Sequence, residues 1–227
     1  MKINGIVFDL DHTLFDRYAT IKSLAGEIYK NLKEFINDNI TPEIFAENLC
    51  AADKRYITTG WTIILEELDK KGMFSKVPEF AVYLNGVRSA FRKSAVPFPF
   101  TYTVLENIRN MGLKTGIVTN GSSDLQKQKV SLLNLEKYID EIVYAGDFER
   151  QKPYPDSFIS AAERLGENPE NLIFVGDHPE FDIEGARNAG FKTLWVKTGG
   201  SWNEDFTRAD FELDSIEGIP ALLDILI

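Results

Sequence analysis

The chain opens on a short run of apolar, β-favouring residues, Ile6, Val7 and Phe8, which stops at Asp9. An unbroken run of this kind marks a strand buried on both faces. From Ile21 the apolar positions recur instead at three and four residues, through Leu24, Ala25, Ile28, Leu32, Phe35 and Ile36. That spacing predicts one amphipathic helix, ending near Asn37-Asp38-Asn39. Thr41-Pro42-Glu43 reads as N-cap, first-turn proline and first-turn acid of a second helix carrying Phe45, Leu49, Ala52 and Tyr56. Gly60 interrupts that helix, Trp61 to Leu68 gives a third closed by Gly72, and Phe80, Tyr83, Leu84, Val87 and Phe91 mark a fourth. Residues 17–95 are thus predicted to be helical throughout.

Pro97-Phe98-Pro99 ends this block, because the residue before a proline is pushed out of the helical region. Beyond it the period alternates. Val104, Leu105, Ile108 and Met111 form a helix face capped by Gly112, and Leu113 to Val118 is a strand ending in Thr119-Asn120-Gly121. A helix from Asp124 through Leu133, a strand from Ile142 to Ala145 and a helix opened by Asp156 follow. Leu172 to Val175 is a buried strand ending in Gly176-Asp177, ahead of a helix closed by Gly190, and Thr193 to Val196 is another strand. A short strand at Phe211 to Leu213 and a helix with Pro220 in its first turn complete the chain. Strands alternating with helices predict an α/β fold, a doubly wound parallel sheet with Rossmann-like connections. The domains expected are a core of residues 1–16 and 97–227 and an inserted helical domain of residues 17–96.

Composition narrows the classes. With 227 residues, 44% hydrophobic and 26% charged, the chain has the make-up of a soluble globular protein. Its apolar runs are far shorter than a membrane span, and Met1-Lys2 leads straight into a strand, so the expectation is a cytoplasmic protein without a membrane partner. A net charge of −10 with no Lys/Arg cluster argues against nucleic acid. The lone Cys50 excludes an internal disulfide and is expected to be structural, and His12 and His178 do not have zinc spacing. No GxGxxG or P-loop pattern supports a dinucleotide or ATP cradle. A monomer or a homodimer is expected.

The chemistry gathers where strands end. Asp9 with Asp11, Thr119 with Asn120, and Asp177 each follow a buried run, and Lys152 lies after the strand at Ile142 to Ala145. A parallel sheet brings such ends to one edge, where ligands bind. Carboxylates, a hydroxyl and an ammonium facing one crevice make sense if the site holds a hard divalent cation and an anion together, with Mg²⁺ and a phosphate the natural pair. Lys152 and the cation would offset repulsion between a nucleophilic carboxylate and a phosphate dianion. Thr119 and the amides of Asn120 and Gly121 are placed to donate to its oxygens.

These stretches resemble a known family. DLDHTLFD is similar to the DxDxT motif of the haloacid dehalogenase-like (HAD) phosphohydrolases, VTNG to their second motif, Lys152 in KPYPD to the third and GDHPEFD to the fourth, in the family's order. The resemblance covers the whole chain and implies a phosphatase with a helical cap between the first two motifs. It implies that Asp9 attacks phosphorus to form an aspartyl-phosphate, and that Asp11 is general acid and then general base. It makes Asp177 the Mg²⁺ ligand together with the Asp9 side chain and the Asp11 carbonyl, with Asp182 supporting the metal shell or Lys152. Since Asp182 starts a predicted helix, a plain capping role competes. His12 and His178 abut motifs and are read as rim residues.

The substrate expected is a small phosphorylated metabolite such as a sugar phosphate, a nucleotide or phosphoglycolate. A phosphomutase of the β-phosphoglucomutase type shares the motifs and cap type and is the alternative. A haloacid dehalogenase needs neither the metal nor the second aspartate and fits less well, as does a non-catalytic binding protein. Lys54, Arg55, Tyr56 and Trp61 flank a helix break and are candidates to face the substrate, although Tyr56 shares a stripe with Phe45 and Leu49 and core packing is the competing account. The cap's hinges are expected near Asp16-Arg17 and Val96-Pro99.

Overall fold

The computed structural model describes residues 2–56, 60–198 and 202–227. The chain divides into two compact units, one made of Met1–Asp16 with Pro97–Ile227 and the other of Arg17–Val96.

In the first unit the apolar runs become strands β1 (Gly5–Phe8), β2 (Lys114–Thr119), β3 (Glu141–Tyr144), β4 (Leu172–Gly176), β5 (Lys192–Val196) and β6 (Phe211–Leu213). They form one sheet in the order β3-β2-β1-β4-β5-β6, every pair parallel. The order reverses between β1 and β4. In sheets of this kind the crevice at the carboxyl ends beside the reversal is where ligands bind. β1 and β4 are buried along their whole lengths, as their unbroken apolar runs require. Val7, Phe174, Phe158 and Phe191 belong to one packed core, with Phe158 meeting Phe174 edge to face at 4.9 Å.

The second unit is helical but not throughout. Its helices are α1 (Arg17–Ser23), α2 (Ala25–Leu32), α3 (Pro42–Tyr56), α4 (Trp61–Lys70) and α5 (Phe80–Phe91). The single helix expected over residues 21–36 is broken after Ser23, and Phe35 and Ile36 lie beyond its end, where Ile36 bridges to Phe74. A run of apolar residues at helical spacing cannot show such a break, because buried turns carry apolar residues too. Thr41 does cap α3, accepting from the Ile44 amide at 3.3 Å. Inside this unit Arg17 is buried, forked onto Asp53 at 2.8 and 2.7 Å, with Trp61 and Phe91 rings about its guanidinium. Tyr56 is half-buried with the Arg55 guanidinium 5.2 Å from its ring centre, Trp61 is half-buried, and Lys54 and Arg55 are exposed. The break they flank, residues 57–59, lies outside the described residues.

The remaining helices return to the sheet unit: α6 (Thr101–Asn110), α7 (Ser123–Leu132), α8 (Asp156–Leu165), α9 (Gly185–Asn188) and α10 (Ile219–Leu226). One expectation needs correction. The helix predicted between Asp177 and Gly190 begins as a wider π-helical turn, Pro179–Glu184, before the short α9. Such turns are common at functional sites. Among the described residues no helix is long and apolar enough to cross a membrane.

Candidate active site

Asp9 directly follows β1 and its amide still bonds the Val175 carbonyl of β4 at 2.8 Å, which fixes its backbone at the point of strand reversal. Beyond it the chain turns back sharply: the amides of Thr13, Leu14 and Phe15 all donate to the Leu10 carbonyl, and His12 takes a left-handed φ of 62°. This is how acids two positions apart on an extended run both leave the sheet on the ligand side.

Lys152 is the centre of the polar cluster. Its ammonium is buried and donates to Asp9 Oδ1 at 2.6 Å, Asp182 Oδ1 at 2.7 Å and the Val118 carbonyl at 3.0 Å, so all three of its protons are used. Burial alone would lower its pKa, but the charges of Asp182 and Asp9 outweigh that and hold it above the ordinary lysine value. The lysine's backbone is equally fixed. Asn120 accepts from the Lys152 amide through Oδ1 at 2.9 Å and donates through Nδ2 to the Lys152 carbonyl at 3.0 Å.

Carboxylate oxygens of Asp9, Asp177 and Asp182 lie within 4.8 Å of one another. Burial pushes the Asp9 carboxyl up to about 7 against the pull of Lys152, with Asp182 and Asp11 adding to the rise. Loss of solvent, then the charges of Asp182 and Asp9, raise Asp177 well above the usual carboxylate range. Hard oxygen donors crowded at the cost of mutual repulsion are the donor set that a divalent cation such as Mg²⁺ relieves. Asp182 has its oxygens engaged, Oδ1 by Lys152 and Oδ2 by the His178 amide at 3.0 Å. It therefore steadies Lys152 and the π turn, while Asp9 and Asp177 are the better placed to hold a cation. The Trp195 indole donates to the Asp177 carbonyl at 2.7 Å and anchors that strand end from β5.

Gly176 allows this packing. A Cβ there would stand 2.4 Å from Asp182 Cβ, closer than atoms approach. Gly176→Ala is expected to cost about 1–3 kcal/mol by forcing Asp182 off Lys152. Thermal denaturation reads this as a lowered Tm; an unchanged Tm would mean that Asp182 yields without loss.

Asp11 is not in the carboxylate cluster. Its carboxylate turns to α7, where Lys129 Nζ donates to both oxygens at 2.7 Å and Gln126 Nε2 to Oδ2 at 2.8 Å. Gln126 also donates to Thr119 Oγ1 at 2.5 Å. The Gly121 amide, expected to face an anion, donates to Gln151 Oε1 at 2.8 Å. His178 Nδ1 accepts from the Glu180 and Phe181 amides at 3.2 Å, so it caps the π turn, and burial lowers its pKa. His12 is buried, not a rim residue. Cys50 is half-buried, with Sγ 3.9 Å from the Tyr18 carbonyl.

Gln126 and Lys129 are what sequence reasoning missed. Their spacing of three puts them on one helix face, which could have singled them out, but polar residues on a helix are ordinarily its solvated side.

A family model for haloacid dehalogenase-like hydrolases matches residues 6–196. The chain belongs to that family, and within it to the phosphatases. It is 32% identical over 206 residues to a phosphoglycolate phosphatase of Aquifex aeolicus, covering 84% of each chain. It is 28% identical over 224 residues to a glyceraldehyde 3-phosphate phosphatase of Methanopyrus kandleri, covering 93% of each. Among solved structures, the HAD-hydrolase YfnB of Bacillus subtilis, bound to magnesium, shares the fold with a TM-score of 0.80 at 19% identity, covering 99% of this chain and 100% of that one.

Proposed function

We propose that the protein is a Mg²⁺-dependent phosphatase that hydrolyses a small phosphorylated metabolite through an aspartyl-phosphate on Asp9. The observation that carries this reading is the buried Lys152 locked between Asp9 and Asp182 with Asp177 beside them, three carboxylates facing one ammonium, whose full ionisation calls for further positive charge. Asp9 and Asp177, with the Asp11 carbonyl, would hold the cation, which when bound would offset repulsion between the nucleophile and the phosphoryl group. Asp9 forms an oxygen–phosphorus bond as the ester oxygen leaves, and Asp11 gives that oxygen its proton. Water then attacks phosphorus, Asp11 takes its proton back, and Asp9 is released with inorganic phosphate. Lys152 holds the Asp9 carboxylate in place, and Thr119 with the amides of Asn120 and Gly121 receives phosphoryl oxygens once Gly121 leaves Gln151. On this reading residues 1–16 and 97–227 are the catalytic core of a cytoplasmic enzyme and the helical unit 17–96 is its cap.

The test is phosphate release from p-nitrophenyl phosphate and from a panel of sugar phosphates, nucleoside monophosphates and phosphoglycolate, with Mg²⁺ and with EDTA. Turnover that EDTA removes is expected, with no chloride release from haloacids. Isomerised sugar phosphate without free phosphate would favour a mutase, and full turnover in EDTA would end the metal assignment.

A further inference from the structure

The face of α7 that carries Gln126 and Lys129 has no part in the mechanism above, yet both side chains are buried, at 3% and 7% exposure. Burying a lysine ammonium in the interior is costly unless it is paired. Here it is paired with Asp11, which stands outside the carboxylate cluster, by two short bonds, with the Phe15 ring 4.9 Å from the ammonium.

Gln126 links two of the assigned groups. A side-chain amide has two donor hydrogens, and here one goes to Asp11 and the other to Thr119 Oγ1. With its oxygen accepting from Gln126, what Thr119 has left to offer is its own hydroxyl proton, whose partner in this structure is the Asn120 carbonyl at a long 3.4 Å. A hydroxyl so oriented is a donor ready for an anionic oxygen. The carboxylate, for its part, is gripped by donors on both oxygens and cannot rotate freely.

We propose that Lys129 and Gln126 are positioning residues, which set the placement of the Asp11 carboxylate and the direction of the Thr119 hydroxyl. The proposal rests on the phosphatase reading and extends it to groups that do not themselves touch the reacting atoms.

Leaving-group dependence separates this from a purely structural ion pair. An alkyl phosphate needs its departing oxygen protonated, whereas p-nitrophenolate leaves without much help, so a misplaced acid shows on the first and much less on the second. Lys129→Met is expected to lower kcat about 10²-fold on an alkyl phosphate and only a few-fold on p-nitrophenyl phosphate, with Lys129→Arg recovering part of the loss. Gln126→Leu is expected to raise KM for both esters, because Thr119 loses its orientation. Mg²⁺ binding by calorimetry is expected to be unchanged in all three variants. In Lys129→Met, equal losses of kcat on both esters, or wild-type kcat on the alkyl ester, would overturn the proposal. If Lys129→Met does not fold, the KM of Gln126→Leu decides it, an unchanged KM on both esters overturning the proposal. Failure of the phosphatase reading looks different, because the wild-type protein would then release no phosphate from either ester.

Discussion

The Asp9→Asn variant is expected to lose on the order of 10⁴-fold or more of kcat on p-nitrophenyl phosphate, since on the proposed mechanism it removes the covalent nucleophile, and with it the step itself, and leaves only residual stabilisation. The same change should not unfold the protein. An amide oxygen at position 9 still accepts from Lys152 Nζ, now at 2.6 Å from Asp9 Oδ1, and the Lys152–Asp182 pair at 2.7 Å is untouched. Removing a charge from the crowded cluster also eases Asp177, whose pKa the Asp9 charge helps to raise. Asp9→Asn is therefore expected to melt at or above the wild-type Tm in EDTA at pH 8 while being inactive with Mg²⁺. Persisting turnover would sink the covalent role of Asp9, and a large fall in Tm would show that the carboxylate, not the oxygen atom, holds Lys152.

The second large effect is on stability against pH. With Asp9 at about 7 in the folded protein against an ordinary 3.8, the folded state binds more protons than the unfolded chain between those values. Stability contributed by the protonated group is full below pH 4 and is lost as pH rises through 7, and Asp177 acts in the same direction. The loss from Asp9 is on the order of 4 kcal/mol at alkaline pH. Glu27, Glu43 and Glu167, whose pKa values are lowered by their hydrogen bonds, have the opposite sign but titrate below the ordinary glutamate range and outside this window, whereas His178, lowered by burial, also has the opposite sign and offsets part of the loss within it. In EDTA the Tm is expected to fall from pH 5 to pH 8. Mg²⁺ prefers the ionised carboxylates, so it should restore most of that loss at pH 8 and release protons on binding near pH 7. Melts across this range, and calorimetry in buffers of different ionisation enthalpy, measure both. A Tm that rises from pH 5 to pH 8 in EDTA would reverse the sign and remove the account of a strained carboxylate cluster.

The sheet was largely legible because its cause is local. Ile6–Phe8 and Leu172–Val175 have no polar face, and only a strand covered on both sides accommodates that; the acids at their ends then fall together by topology. What stayed hidden depends on neighbours that are distant in the chain. Leu24 sits on the apolar stripe and gives no sign that it separates α1 from α2. Asp182 could be read equally as a support for the metal shell or Lys152 and as a cap, and only the π turn shows its carboxylate bonded to Lys152, 30 positions earlier. Asp11 read as a companion of Asp9, and only the position of Lys129, 118 residues on, shows where its side chain goes.

Asn120 and Lys152 have a further consequence. The reciprocal amide clasp between them joins the loop after β2 to the loop after β3, so neither loop can drift without the other. Freezing two independent loops at the moment of encounter would oppose binding entropically, and here that ordering is completed when the chain folds. An incoming phosphate ester meets loops already tied together, with Gly121 still to exchange Gln151 for a phosphoryl oxygen, and more of its contact energy is left to act on the reaction barrier.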